Sequence, residues 1–152
     1  MQDLVFNWSE LLSVFLRVGG AFLLALPIGW QRERTERSLG LRTFPLVAVA
    51  SATYLILADL LFSPDANAQA RVLQGLITGI GFIGAGAILK VRDEEVVHGT
   101  ATAASVWATG ALGASMAYGQ VHIAVLLSAI VFVTLRWMTP LKEKVEKKAG
   151  SG

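Results

Sequence analysis

The sequence predicts an all-α membrane protein, a bundle of five transmembrane helices with its N-terminus outside and its C-terminus in the cytoplasm. Of the 152 residues, 54% are hydrophobic and only 16% are charged, and the mean hydropathy is +0.58. A soluble domain carries about 25% charged residues, so much of this apolar surface must face something other than water. Apolar runs alternate with short polar segments, and each run approaches the ~20 residues that a helix needs to cross a bilayer.

Five apolar runs are predicted as helices rather than as strands. Within a bilayer only a helix or a closed barrel satisfies its own backbone hydrogen bonds. Barrel strands would show alternating patterns over about ten residues, whereas these runs are continuous and longer. The helices form a transmembrane domain over residues 1–138, followed by a basic cytoplasmic tail over 139–152, and they are placed at 11–30, 44–62, 72–89, 100–118 and 123–138.

The distribution of Lys and Arg predicts the orientation, because cytoplasmic loops of membrane proteins carry an excess of these residues. If the chain crosses the membrane five times, the loops and terminal segments on one side contain a single basic residue, Arg71. We therefore assign the opposite side to the cytoplasm. Its basic residues lie in the first loop, the third loop and the C-terminal region: Arg32, Arg34, Arg37, Arg42, Lys90, Arg92, Arg136, Lys142, Lys144, Lys147 and Lys148.

Glycines in the third and fourth helices predict close helix packing. Small residues allow helix backbones to approach each other in a bilayer, where no hydrophobic drive brings helices together. We expect packing contacts at Gly75, Gly79, Gly110 and Gly113. The glycines of the third helix cover most of its circumference, which predicts a central position for that helix. The alternative is that these glycines let a ligand or a partner approach the backbone.

Two charged residues, Arg17 and Asp59, lie inside predicted spans near the outer side. Charges within a membrane are costly and often functional. Because the first two helices are antiparallel neighbours, both residues fall at comparable depth, which predicts an intramembrane ion pair. Glu10 is a competing partner for Arg17, and Arg17 could instead extend to the membrane surface. The functional alternative is an outward-facing ion pathway.

Four segments converge on the predicted cytoplasmic face: residues 28–33, 40–43, 81–86 and 99–107. Two helices begin there, so their positive dipole ends point to that face. One interpretation is helix capping by Thr43 and Thr100 together with anchoring by basic residues. The other is a cytoplasmic pocket or docking face formed by Arg32, Glu33, Arg42, Thr43, Gly81, Phe82, Gly84, Gly86, Thr102, Ser105 and Trp107.

The residue types that most enzymes and metal proteins need are missing or badly placed. The chain has no cysteine, and no Ser/His/Asp arrangement, metal-spaced cluster or nucleotide-binding fingerprint is present. Residues 93–95 with His98 could attract a cation, but consecutive loop residues rarely converge on one ion, so we expect a solvated loop. We expect no catalytic residue, no metal site, no cofactor and no nucleic-acid partner.

Three of the converging segments resemble motifs of the MgtC/SapB family of bacterial inner-membrane proteins. The family shows an Ile-Gly-x-Glu-Arg-Glu stretch after its first helix, and residues 28–33 match it except for Gln31. Residues 40–43 match its Gly-Leu-Arg-Thr in full. Its Gly-Phe-Leu-Gly-Ala-Gly corresponds to residues 81–86, with Ile83 in place of Leu.

The fourth segment, residues 99–107, resembles the family's Gly-Leu-Thr-Thr-Ala-Ala-x-x-Trp, with Thr100 and Ala101 as departures. The resemblance extends over about residues 11–136, and four motifs in order make it specific. It implies a multi-pass protein of the bacterial inner membrane in a short form without the soluble C-terminal domain of some members. It also implies links to growth at low magnesium and to virulence, and regulation of another membrane machine such as the ATP synthase.

These observations favour a non-enzymatic regulatory or interaction protein that acts through its cytoplasmic face. The expected partners are the lipid bilayer and either another membrane protein or a second copy of the chain. The alternative is a small oligomeric Mg²⁺ transporter or channel. Asp59 is the acid placed clearly within a span, which is few oxygen ligands for Mg²⁺, although backbone carbonyls of the third helix could add others.

Overall fold

The computed structural model describes residues 7–35, 39–90 and 97–149, which contain five helices and one short pair of strands. The antiparallel strands β1 and β2 connect the third helix to the fourth, with Leu89 opposite His98 and Lys90 opposite Val97. The elements in order are α1 (Trp8–Thr35), α2 (Thr43–Phe62), α3 (Ala66–Gly86), β1 (Leu89–Lys90), β2 (Val97–His98), α4 (Thr100–Ala117) and α5 (Val121–Ala149).

All five predicted helices are present, and two differ most in their bounds: α5 extends to Ala149 rather than ending at 138, and α3 is shifted toward the N-terminus. This helix begins at Ala66 rather than at 72, because the Asp65 carboxylate caps it by accepting hydrogen bonds from the backbone N–H groups of Asn67 (2.9 Å) and Ala68 (3.1 Å). It ends at Gly86 rather than at 89, because the chain then enters β1. The two-residue strands are the one departure from an all-helical chain among the described residues.

Three helices are long and apolar enough to cross a membrane: Trp8–Arg34, Thr43–Phe62 and Val121–Met138. This judgement rests on length and composition. It supports a helical membrane protein, while the number of crossings and the orientation of the termini stay predictions. The two remaining helices, α3 and α4, contain no stretch apolar enough to be counted as such a span.

The centre of the bundle is α4, which packs against each of the other four helices. Its contact with α2 is especially close, since a Cβ atom added at Gly113 would lie 2.3 Å from the carbonyl oxygen of Ala48. Gly110 faces α3 in the same way, because a Cβ there would lie 2.1 Å from Cδ1 of Ile80. Small residues on α4 thus allow two neighbouring helices to approach its backbone.

The prediction that α3 is the central helix is wrong. This helix packs mainly against α2 and α4 and lies at the edge of the bundle. Its buried residues are Ile80 and Gly84, while Gly75 and Gly79 are exposed and an added Cβ at either would meet nothing within 4 Å. The predicted packing contacts therefore exist within this chain at Gly110 and Gly113 and not at Gly75 and Gly79.

Candidate functional site

The candidate site lies at one end of the bundle, where α1 and α3 end and α2 and α4 begin; we name it the Arg32 end. Arg32 lies in the last turn of α1 and is only 2% exposed. Its Nη2 donates a hydrogen bond to Oγ1 of Thr102, a fully buried residue in the first turn of α4. Because a buried guanidinium is costly unless it is hydrogen-bonded, this contact fixes the end of α1 against the beginning of α4.

Glu33 connects the end of α1 to the turn that precedes α2. Its carboxylate accepts a hydrogen bond from the backbone N–H of Leu41 at 2.9 Å. The carbonyl of Gly40 in turn accepts from the N–H groups of Thr43 (3.0 Å) and Phe44 (3.3 Å). The first donors of α2, which a helix cannot satisfy internally, are therefore occupied by this turn.

Glycine at position 40 leaves the space that the Glu33 carboxylate occupies. A Cβ added at Gly40 would lie 1.8 Å from Oε2 of Glu33 and 3.1 Å from its Cα. Gly29 on α1 is also tight, since a Cβ there would lie 3.2 Å from the Cα of Leu41. The chain entering α2 thus passes directly over the last turns of α1.

The expected capping by Thr43 and Thr100 is wrong, because each is the first residue of its helix rather than the residue before it. The N-cap of α2 is Arg42 and that of α4 is Gly99, and neither makes a side-chain capping hydrogen bond. Gly99 has φ +87°, and a Cβ there would lie 1.9 Å from the carbonyl oxygen of Ala87. Both the left-handed backbone and the missing space favour glycine at this position.

The third glycine-rich segment reaches the same end through Gly84. This residue is buried, and an added Cβ would lie 3.3 Å from the carbonyl oxygen of Ala103 on α4. Ser105 is also buried, and its hydroxyl donates to the carbonyl of Ala101 at 2.7 Å. The Arg32 end therefore brings together parts of all four predicted segments.

Other residues of the predicted site point away from these internal contacts. Phe82 is 83% exposed and Trp107 is 54% exposed. Gly81 and Gly86 are also exposed, and an added Cβ at either would meet nothing within 4 Å. Arg42 is exposed at the start of α2. The predicted residues thus form two groups: one makes contacts between the helix ends, and the other is exposed on the surface.

Sequence reasoning missed one contact at this end. The guanidinium carbon of Arg34 lies 4.4 Å from the centroid of the Trp30 ring, within the range of a cation–π contact. The spacing of one helical turn between the two residues is the signal that could have predicted it. This pair is an exposed basic and aromatic feature at the end of α1.

The predicted ion pair of Arg17 and Asp59 is not formed, since both are described and each has another partner. Arg17 donates from Nη1 to the carbonyl oxygen of Ala117 at 3.0 Å, and Asp59 accepts from Nε2 of Gln69 at 3.2 Å. The last carbonyls of a helix lack internal donors and carry its negative dipole end, so α4 offers Arg17 a suitable acceptor. Asp59 is exposed on α2, toward the beginning of α3.

Within the described ranges, no group of three His, Cys, Asp or Glu side chains could hold a metal ion. The acidic run at 93–95 lies outside the described residues, and so does the side chain of His98. The expectation of a solvated loop there stays a prediction.

The chain matches known proteins over most of its length. Residues 18–144 match the MgtC family. The chain is 34% identical over 142 residues to "Protein MgtC" of Brucella abortus (strain 2308). The aligned region covers 93% of this chain and 58% of that protein. It is 36% identical over 138 residues to "Protein SrpB" of Synechococcus elongatus, and this aligned region covers 84% of the chain and 75% of that protein.

A third relative is "Protein MgtC" of Salmonella typhimurium (strain LT2), with 36% identity over 116 residues, 76% of this chain and 48% of that protein. The chain thus spans about half the length of the MgtC proteins it matches. No solved structure matches it. The family match covers the four helix-end segments that meet at the Arg32 end, and the chain belongs to the MgtC family.

Proposed function

We propose that this chain is a non-enzymatic, multi-pass protein of the bacterial inner membrane that regulates another membrane protein. Its membership of the MgtC family supports a link to magnesium homeostasis and to virulence-type adaptation. Its three long apolar helices support a location in the membrane. The proposed mode of action is contact through the Arg32 end, which the distribution of Lys and Arg assigns to the cytoplasm.

The observation that carries this proposal is the interlocked Arg32 end. Arg32 joins α1 to α4 through Thr102, and Glu33 joins α1 to the start of α2 through the N–H of Leu41. The first contact joins two buried side chains, and the second joins the exposed Glu33 carboxylate to a main-chain N–H, so together they connect three helix ends. Exposed basic and aromatic side chains surround them, namely Trp30, Arg34 and Arg42. Trp and Arg are enriched among the residues that dominate protein interfaces.

A small oligomeric Mg²⁺ transporter is the second candidate, and the open side of α3 favours it. In a single copy Gly75 and Gly79 face empty space, so a second copy could pack there and enclose a path for ions. The described acids argue against such a path. Glu33, Asp59 and Asp65 are each engaged by a nearby N–H group, whereas Mg²⁺ needs several oxygen ligands in octahedral geometry.

Ion flux separates the two candidates. The purified full chain is reconstituted into liposomes that contain a Mg²⁺-sensitive dye, and entry of Mg²⁺ is compared with protein-free liposomes. Regulation predicts no increase above the protein-free rate. Selective Mg²⁺ entry that depends on the amount of protein would overturn the regulatory proposal and establish the transporter.

Exposed arginines at the two ends of the molecule provide a test in cells. Arg42→Gln at the Arg32 end is expected to abolish support of growth at low magnesium in a strain that lacks its own MgtC relative. Arg71→Gln, at the opposite end of α3, is the matched control and should retain support. Equal amounts of both variants in the membrane show that insertion is unaffected. Full growth with Arg42→Gln would exclude this residue from the proposed docking face.

A further inference from the structure

A long open groove of about 610 Å³ lies on the outer side of the bundle between α2 and α3. Its volume is within the ~300–1,000 Å³ that is typical of small-molecule sites. It extends from Thr43 and Ile83 at the Arg32 end to Tyr54 and Val72 at the other end, about 16 Å along α2 at 1.5 Å per residue. The residues between these ends are Leu46, Val47, Ala50, Ser51, Gly75, Leu76, Gly79 and Ile80.

The middle of this groove is apolar. Gly75 and Gly79 open it on the α3 side, because neither carries a side chain that would fill it. Ser51 is the one polar residue of that middle part, and its hydroxyl already donates to the carbonyl of Val47 at 2.7 Å. Hydroxyl groups are otherwise found at the two ends, on Thr43 and Tyr54. An occupant must therefore be apolar along its length, with any polar group at an end.

The charges at the two ends of the groove differ. Arg42 is exposed and directly precedes Thr43, and the other charged side chains described at this end are Arg32, Arg34 and a single acid, Glu33. At the other end, exposed Arg71 precedes Val72, and two exposed acids lie at that end of the helices, Asp59 in the last turn of α2 and Asp65 at the N-cap of α3. The Arg32 end of the groove therefore carries the stronger positive charge and suits an anion.

We propose that this groove binds an anionic membrane phospholipid, with one acyl chain along α2 and α3 and the phosphate against Arg42. A single phospholipid supplies both features that the groove demands, an apolar chain and a negative head. If the Arg32 end is cytoplasmic, the site opens to the leaflet in which negative surface charge attracts basic residues. An acyl chain also fits the middle of the groove, where the glycines leave apolar space and the one hydroxyl, on Ser51, already donates within α2.

Native mass spectrometry of the full chain in detergent tests acyl-chain binding. The protein is purified and incubated with equal amounts of phosphatidylglycerol and phosphatidylethanolamine, and the bound lipids per chain are counted. The double variant Gly75→Leu/Gly79→Leu adds side chains to the groove at two positions where a Cβ would meet nothing within 4 Å, and it is expected to lose the bound phosphatidylglycerol. Gly81→Leu/Gly86→Leu is the matched control, because both glycines lie on α3, are open and do not line the groove.

Arg42→Gln tests the position of the phosphate. Wild type is expected to prefer phosphatidylglycerol by about five-fold, since one arginine near an anionic surface contributes about 1 kcal/mol. Arg42→Gln should remove the preference for phosphatidylglycerol, although a lipid should still bind through its acyl chain. Arg71→Gln should keep the preference. If Arg71→Gln alone removed the preference, the lipid phosphate would lie at the Arg71 end of the groove, and the proposal would be overturned.

The competing occupant is a second copy of the chain. If wild type is a dimer with no bound phosphatidylglycerol, and Gly75→Leu/Gly79→Leu alone makes it a monomer, then the groove is a protein interface and the lipid proposal is wrong. Equal lipid binding by both glycine double variants would overturn it as well. Loss of lipid from the groove-filling variant, with an unchanged oligomeric state, supports it.

Discussion

Glu33 and Gly40 show at the level of single residues how the Arg32 end is built. The carboxylate occupies the space where a side chain at position 40 would lie, and it accepts the N–H of Leu41. We expect Gly40→Ala to displace the carboxylate and Glu33→Ala to leave the exposed N–H of Leu41 to water, each at a cost of about 0.5–1.5 kcal/mol.

A double-mutant cycle measures the coupling between these two residues. The combined Glu33→Ala/Gly40→Ala variant should lose less stability than the two single variants added together, because removing the carboxylate vacates the space that the new methyl needs. Thermal unfolding of the purified protein in detergent gives the four values. Additive losses would show that the two residues do not compete for this space.

Gly99 is a second position where the residue type follows from local geometry. Gly99 and Gly119 both have positive φ, +87° and +70°, but an added Cβ meets the carbonyl of Ala87 only at the first. Gly119→Ala should therefore cost the ~1–2 kcal/mol of a left-handed backbone, and Gly99→Ala should cost clearly more. The difference in melting temperature isolates the clash. Equal losses would mean that the connection of α3 to α4 relaxes around the methyl group.

At the level of the element, α3 has one side that packs and one that does not. Gly84 is buried against the carbonyl of Ala103, whereas Gly79 faces the open groove. We expect Gly84→Leu to separate α3 from α4 and to lower the melting temperature markedly, and Gly79→Leu to stay near wild type. A similar loss for both variants would show that the outer side of α3 is covered in the purified protein.

The sequence was sufficient to place the helices because each apolar run is long and bounded by polar residues. It could not place α3 within the bundle, since glycines around the whole helix mark no preferred side. Nor could it identify the acceptor of Arg17, because main-chain carbonyls are the same at every position and only the fold brings Ala117 close. The convergence at the Arg32 end was predictable, since alternating helix directions bring these segments to one end.

For the whole molecule, the natural absence of cysteine makes the orientation directly measurable. Single cysteines at Arg34, Ser63 and Gln120 all lie at exposed positions near helix ends. With five crossings and a cytoplasmic C-terminus, a membrane-impermeant maleimide should label Ser63→Cys and Gln120→Cys in intact cells. Arg34→Cys should react only after the cells are opened. The reverse pattern would invert the predicted topology.

The two arginines of α1 have a consequence for how the molecule can move. Arg17 holds the last residue of α4, and Arg32 holds the first turn of the same helix. The interval between the arginines along α1 equals that between Ala117 and Thr102 along α4, about 22 Å. Sliding α1 along α4 would break both hydrogen bonds at once, so we expect these two helices to move as one rigid unit. Because α3 packs mainly against α2 and α4 at the edge of the bundle, we expect it to move more readily than α1 or α4.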